Sequence, residues 1–405
     1  MRRGVFGIEK RAGMGNAVGM IHLDANASTP LRAEVLEAML PWLREGYANP
    51  SGTYAAAKQA RQAIERARAQ MAEWLGAVPE EIVFTSGGTE SVNTALHSLD
   101  HHAGEGRALV SAIEHSAVLR YAESLPRRVD LAPVDSGGRL DLEAFAERLS
   151  GAAFVSVMAA NNETGVLQPL REVCAMARER GLAVHTDAVQ AVGKIAINVR
   201  TLGVDLLSLS AHKFHGPKGV GALYVRSGTR FSPLLIGGGQ EGGRRSGTEN
   251  TAGIVGMAAA AAWMRKQLAA DDHAAMRNMR DAFESKLLEE LAGVTVNGDL
   301  RYRLPNTSHL SFDACDAAGL LILLDEAGIA CSAGSACMSG KQRPSHVQVA
   351  MGIDEARAKS SLRFSFSSLN TMGEAFAAAV MVKRVVEKLR RVQGAGVGPV
   401  QVYCV

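Results

Sequence analysis

The chain has 405 residues, 47% of them apolar, with 44 basic against 41 acidic side chains and a formal net charge of +3. That length exceeds one small core and predicts about two domains, while so small and dispersed a charge excludes any obvious nucleic-acid or membrane-surface partner. The five cysteines (Cys174, Cys315, Cys331, Cys337 and Cys404) are scattered and odd in number, which gives no disulfide framework and no metal-binding CxxC pair, and suits the reducing cytoplasm.

Residues 1–20, MRRGVFGIEKRAGMGNAVGM, carry charge and glycine but no apolar h-region, so they are no secretory signal. They read as a flexible extension, with Met20 as an alternative start because the ordered pattern begins at Ile21. Residues 56–75 predict a helix with Ile64, Ala67, Met71, Trp74 and Leu75 on one face and Gly76 past its end. Residues 81–85, EIVFT, predict a strand that runs into Ser86-Gly87-Gly88-Thr89-Glu90. Further apolar runs at 108–113, 153–158, 182–186, 205–209 and 220–225 read as strands, with helical segments between many of them. That alternation is the signature of an α/β fold. A long helix follows over 251–268; its apolar window at 254–264 ends at Arg265-Lys266, too short to span a membrane. Beyond it come a charged helix over 271–291 and then short strands and helices. The expected organisation is an extension over 1–20, a large domain over 33–269, and a small domain built from 21–32 together with 270–405.

The most informative stretch is 207–221, LSLSAHKFHGPKGVG, where an apolar strand runs out at Lys213. Lysine is strongly hydrated, so one at the end of a core strand is either solvated or chemically engaged. A partly desolvated lysine has a lowered pKa and can form a Schiff base with an aldehyde. The cofactor that needs such a lysine is pyridoxal 5'-phosphate (PLP). Lys218, in the Gly-Pro turn, has no strand beneath it and reads as exposed.

Polar residues recur after the other strands, where ligands sit in α/β sheets. Gly87-Gly88-Thr89 opens a helix and is able to cradle a phosphate, although many strand–helix turns carry two glycines. His115 is either a ring that stacks on a cofactor or a core histidine. Asp187 is either the partner of a pyridine nitrogen or a helix cap. Gln190 lies three residues on, within reach of a cofactor's phenolic oxygen, and His185 reads as structural. Arg363, in SSLRFSFS, either grips a substrate carboxylate or makes a surface ion pair. Cys337 lies in the glycine-bounded segment CSAGSACMSG, which reads as a mobile exposed loop. Its thiol is a nucleophile, an incidental group, or a redox partner of Cys331, which is more readily packed.

Taken together, these residues resemble the cysteine desulfurases of the NifS/IscS family, within the fold-type I, aspartate-aminotransferase-like PLP enzymes. The resemblance covers residues 21–390 and rests on LDANASTP at 23–30, FTSGGTES at 84–91, EHSAV at 114–118, ANNETG at 160–165, HTDAVQAVGK at 185–194, SAHKFHGPKGVGALYV at 210–225, GGRRSGTEN at 242–250, GSAC at 334–337 and RFS at 363–365. The middle third is closer to the nitrogen-fixation type. The resemblance implies a large domain with a mostly parallel sheet flanked by helices, plus a smaller α+β domain. It implies PLP as cofactor, L-cysteine as substrate, a homodimer and a sulfur-acceptor protein. Residue by residue, it implies that Lys213 binds PLP and acts as acid and base at the substrate Cα. His115 stacks on the ring, Asp187 pairs with the pyridine nitrogen and Gln190 with the phenolic oxygen. Gly88, Thr89, Ser210 and His212 bind the phosphate, joined by Thr248 of the second subunit. Asn162 and Arg363 hold the substrate carboxylate, and Cys337 takes the sulfur as a persulfide.

The chain departs from the family after Cys337, where Met338 to Ser345 replaces Thr-Ser-x-x-Leu-Glu-Pro-Ser, at Tyr54, where a histidine is usual, and in the tail from Gln393. These departures bear on the sulfur acceptor, whose pathway, iron–sulfur cluster assembly or another, is left open. The alternatives to a desulfurase are a selenocysteine lyase-like or aminotransferase-like PLP enzyme, and a non-catalytic sulfur-transfer scaffold.

Overall fold

The computed structural model describes residues 19–269, 272–333 and 344–394. The expected extension up to residue 18, Cys337 with the whole stretch 334–343, and the tail with Cys404 lie outside the described residues. The strands are β1 (Ile21–His22), β2 (Ile82–Thr85), β3 (Arg107–Ser111), β4 (Val129–Ala132), β5 (Ala152–Ser156), β6 (Val184–Asp187), β7 (Leu206–Ser210), β8 (Gly221–Val225), β9 (Val294–Val296), β10 (Thr307–Phe312), β11 (Ile329–Ala330), β12 (Ser332–Ala333) and β13 (Ser361–Ser365).

A seven-stranded sheet runs in the order β2-β8-β7-β6-β5-β3-β4. β8 is antiparallel to both of its neighbours, and the remaining pairs are parallel. Successive side chains leave a strand on opposite faces. Phe84, Leu109, Leu207 and Tyr224 therefore enter one core, with Ile64 and Met71 of helix Ala55–Leu75 and Met257 of helix Thr251–Ala269. Val83, Val110, Leu206 and Leu223 enter the other, with Val92 and Leu96 of helix Gly88–His102 and Val118 of helix Ser116–Ser124. Cover on both faces explains why these strands read as continuous apolar runs. Helix Ala55–Leu75 stops, as its sequence predicts, at Gly76, which adopts the left-handed conformation at φ 71°. β4 escaped the apolar-run reading because it is an edge strand: its sequence VDLA is half-buried, and Asp130 faces Arg107 and Arg148.

The second sheet, β12-β13-β10-β9, is antiparallel. Helices Asp272–Glu290 and Met372–Gly394 pack on it through Phe283, Leu287 and Val382 against Phe312 and Phe364. The N-terminal strand joins this region, pairing β1 with β11 and bridging Asp24 to Ser365. From there the chain crosses to the carboxyl edge of the large sheet. No helix among the described residues is long and apolar enough to cross a membrane.

Candidate active site

The site is built where the parallel strands of the large sheet end. β2 runs out into Gly87, whose φ of 155° and ψ of −175° define a conformation essentially reserved for glycine. Gly221 on β8 makes the turn fit, since a Cβ there would lie 2.7 Å from Gly87 Cα. Helix Gly88–His102 then begins with no side-chain cap. Its first N–H groups have no intrahelical partner, an arrangement suited to an anion. A Cβ on Gly88 would stand 2.9 Å from Val189 and 3.6 Å from Ser210, so this turn lies directly beside the ends of β6 and β7. Thr89 is exposed on the first turn.

β7 ends at Ser210 and passes into a short 3-10 turn, Ala211–Lys213. Lys213 is half-buried, and its Nζ donates to the carbonyls of Asn26 (2.7 Å) and Ala27 (2.8 Å). Burial and the nearby Arg363 guanidinium lower its pKa to about 8, against the pull of Asp187 and Asp24. His212 Nδ1 lies 3.2 Å from Ser28 Oγ, and burial with Lys213 and Lys218 lowers its pKa to about 4, so its ring is neutral. Lys218 is exposed, as expected.

Asp187, at the end of β6, is buried and accepts from the Val189 N–H at 2.9 Å. Burial pushes its carboxyl pKa up, while His115 and Lys213 work against that rise. His115 stands exposed at the start of helix Ser116–Ser124. Its Nδ1 accepts from Ala117 N–H at 3.1 Å, which leaves the ring proton on Nε2. His185 is a core residue, held between Ser156 and Ser208 at 2.9 Å each and kept neutral by burial that lowers its pKa to about 3.

The second sheet supplies the opposing wall. Arg363 on β13 is 7% exposed; its Nη1 donates to Asn162 O at 2.9 Å and its Nη2 to Asp24 Oδ1 at 2.7 Å, while Nε is buried without a partner among the described residues. Asn162 and Arg363, both expected at the substrate carboxylate, lie side by side, joined through the Asn162 backbone carbonyl. Thr248 is not part of this cluster: it is exposed and lines a separate cavity of about 220 Å³ with Thr85, Ser86 and Arg245. Cys331 is half-buried, and burial pushes its thiol pKa up to about 12. Among the described residues no group of three or more His, Cys, Asp or Glu is placed to hold a metal ion.

Several residues at the site carried no role in the sequence reading. Asn26 is fully buried and joins both sheets: its carbonyl accepts from Lys213 and Gln190, its Oδ1 from Lys194 and Asn306, and its Nδ2 donates to Asn162 O and Thr307 Oγ1. Glu114 is buried beside His115, with Oε1 accepting from Ser111 Oγ and Met158 N–H, and burial raises its pKa to about 8. Glu163, also buried, accepts from Ser345 Oγ at 2.8 Å and has its pKa raised by burial to about 7. Motif strings around these residues were visible; the partners that give them meaning lie far away in sequence.

An uncapped helix end, an amine with a lowered pKa and a buried carboxyl on one crevice match the phosphate, the aldehyde and the pyridine nitrogen of PLP. The aminotransferase class-V family model matches residues 21–375. The chain belongs to this family, among its cysteine desulfurases. It is an enzyme with PLP as cofactor. A cysteine desulfurase of Gluconacetobacter diazotrophicus is 44% identical over 377 residues, covering 91% of this chain and 94% of the relative. A solved NifS-like protein superposes with a TM-score of 0.85 at 36% identity, over 91% of this chain and all of the other (100%). The structure of SspA in complex with cysteine superposes with a TM-score of 0.75 at 34% identity, over 85% of this chain and 98% of that one. The fold expected from the sequence, a mostly parallel sheet flanked by helices in an aminotransferase-like frame, is the fold observed.

Proposed function

We propose that this desulfurase converts L-cysteine to L-alanine with Lys213 as its cofactor-binding lysine and Cys337 as its sulfur acceptor. The observation that carries the reading is the Lys213 amine, half-buried at a strand end and set among Asp187, His115 and Arg363. Gly88, Thr89, Ser210 and His212 would hold the phosphate, with Thr248 of a second copy in a homodimer. Asp187 would hold the pyridine nitrogen, a cation that relieves the burial of its carboxylate. His115 would cover the ring and Gln190 would donate to the phenolic oxygen.

When bound, PLP supplies an electron sink that eases loss of the substrate Cα proton and cleavage of the Cβ–Sγ bond. Arg363, aided by Asn162, holds the substrate carboxylate, its guanidinium turning to it from the contacts with Asn162 O and Asp24. Lys213 Nζ, with its pKa near 8, accepts the Cα proton as a free amine and returns it. The Cys337 thiolate attacks the substrate Sγ; an S–S bond forms, the C–S bond breaks with its electron pair on carbon, and Cβ takes up a proton. The products are alanine and a persulfide on Cys337, which an acceptor protein receives.

The ends of the segment that carries Cys337 support this role. Ser332 pairs with Arg363 across β12 and β13, and Ser345 donates to Glu163 beside Asn162, so both ends lie at the substrate wall. A cytoplasmic setting and delivery of sulfur to iron–sulfur cluster assembly belong to the same reading. So does the division into a large cofactor-binding domain over 33–269 and a small domain over 21–32 with 270–405.

The test is Cys337→Ala. The variant is expected to keep the visible absorbance of bound cofactor and to lose alanine formation by roughly a hundredfold or more. Turnover of cysteine at the full rate would assign the nucleophile elsewhere.

A further inference from the structure

Lys194 is 4% exposed, and both of its hydrogen-bond partners are neutral amides: its Nζ donates to Asn26 Oδ1 at 2.7 Å and to Gln190 Oε1 at 2.5 Å. The charged side chains that act on it, Lys213 and Arg363, are both cationic, and His215 feels it from the other side. With burial they push the Lys194 pKa down, and in both contacts Nζ is the donor.

Gln190 is the informative partner. An amide side chain has a donor end and an acceptor end, and it can turn over. Lys194 occupies the acceptor end. Nε2 then donates to Asn26 O at 2.9 Å, the same carbonyl that accepts from Lys213 Nζ at 2.7 Å, and it keeps a second N–H. Turning the amide over would set Nε2 against the Lys194 donor and Oε1 against the Asn26 carbonyl, which breaks both contacts. Asn26 cannot yield, because its own Oδ1 and Nδ2 are held by Asn306 and Thr307.

We propose that Lys194 is a positioning residue that locks the Gln190 amide by its oxygen, so that the cofactor's phenolic oxygen meets an N–H donor and never an acceptor. This rests on the assignment of Gln190 to the phenolic oxygen. A donor there favours the phenolate, and its loss raises the pH at which the bound cofactor's visible absorbance changes.

The experiment is a spectrophotometric pH titration of holoenzyme in four variants. Gln190→Leu is expected to raise the midpoint by about one pH unit, the size of one hydrogen bond to a charged group. Lys194→Met is expected to raise it in the same direction, and Lys194→Gln, which retains a donor, to raise it less. Because Lys194 acts through Gln190, the double variant Lys194→Met with Gln190→Leu is expected to shift no further than Gln190→Leu alone. If Gln190→Leu leaves the midpoint in place, the assignment of Gln190 fails. If Gln190→Leu moves it and neither Lys194 variant does, the assignment stands and the role of Lys194 is overturned. Additive shifts in the double variant also overturn it. Should Lys194→Met not hold cofactor, Lys194→Gln carries the comparison; if neither holds it, Lys194 is structural and the proposal falls.

Discussion

The two edges of the large sheet differ in a way that volume alone misreads. At the amino edge, a cavity of about 660 Å³ opens between the starts of β5, β6 and β7, lined by Ala153, Val184, Asp205 and Arg226 among others. Its one aspartate is engaged: Asp205 receives Val184 N–H at 2.8 Å and pairs with Arg226 at 3.4 Å. Its thiol, Cys174, has its pKa pushed up by burial to about 12 and is inert. At the carboxyl edge stand an amine with its pKa near 8, a buried carboxyl, and the Arg363 guanidinium. Parallel strands aim their helices' N-termini and their loops at one edge, so chemistry concentrates there whatever the size of the opening.

Substitutions at the two edges sharpen that contrast. The largest expected effect is that of Lys213→Ala, which removes the proposed base at the substrate Cα and is expected to lower kcat by about a thousandfold or more. His102→Ala at the amino edge is expected to leave kcat/KM within about twofold, because it touches no reacting group. Steady-state rates of alanine formation check both. Comparable losses at the two edges would break the contrast.

Arg363→Lys comes next. A lysine keeps the charge but not the planar fork that spans Asn162 O and Asp24. KM for L-cysteine is expected to rise about tenfold or more, with a smaller fall in kcat. A loss confined to kcat would move Arg363 from substrate binding to the chemical step.

The smallest effect is on stability. Burial raises the Glu114 carboxyl from its ordinary 4.5 to about 8, so between those values the folded state keeps a proton that the unfolded chain has lost. The resulting stabilisation is full below about pH 4.5 and fades as pH rises to about 8. Glu114→Gln retains an acceptor for Ser111 and Met158 and removes the fading term. The melting temperature of the wild type is expected to fall more steeply between pH 5 and 8 than that of the variant, by roughly 1 kcal/mol or more in stability. Equal slopes would mean that Glu114 is ionised in the fold.

The same contrast explains what was legible in the sequence. Lys213, Asp187, His115 and Gly88 follow apolar runs that a parallel sheet makes continuous, so their place at one edge follows from the pattern. Arg363 and Asn162 were readable only through the motifs around them, since their contact spans 201 positions of chain. Asp24 meets Arg363 across 339 positions, and nothing local in LDANASTP marks its carboxylate. Asn26 and Lys194 were hidden for the same reason: a hub shows only when both sheets are in place. β4 was missed because an edge strand need bury only part of itself, and Glu114 because local sequence does not register burial of a carboxyl one residue before His115.

The most direct test is to reduce the holoenzyme with borohydride, digest it, and locate the attached pyridoxyl group by mass spectrometry. Lys213 and Lys194 both reach Asn26, and both amines have lowered pKa values, so the result discriminates between close neighbours. The account predicts the label on Lys213 and none on Lys194 or Lys218. Label on Lys194, or no label on a protein that still forms alanine from L-cysteine, would contradict it.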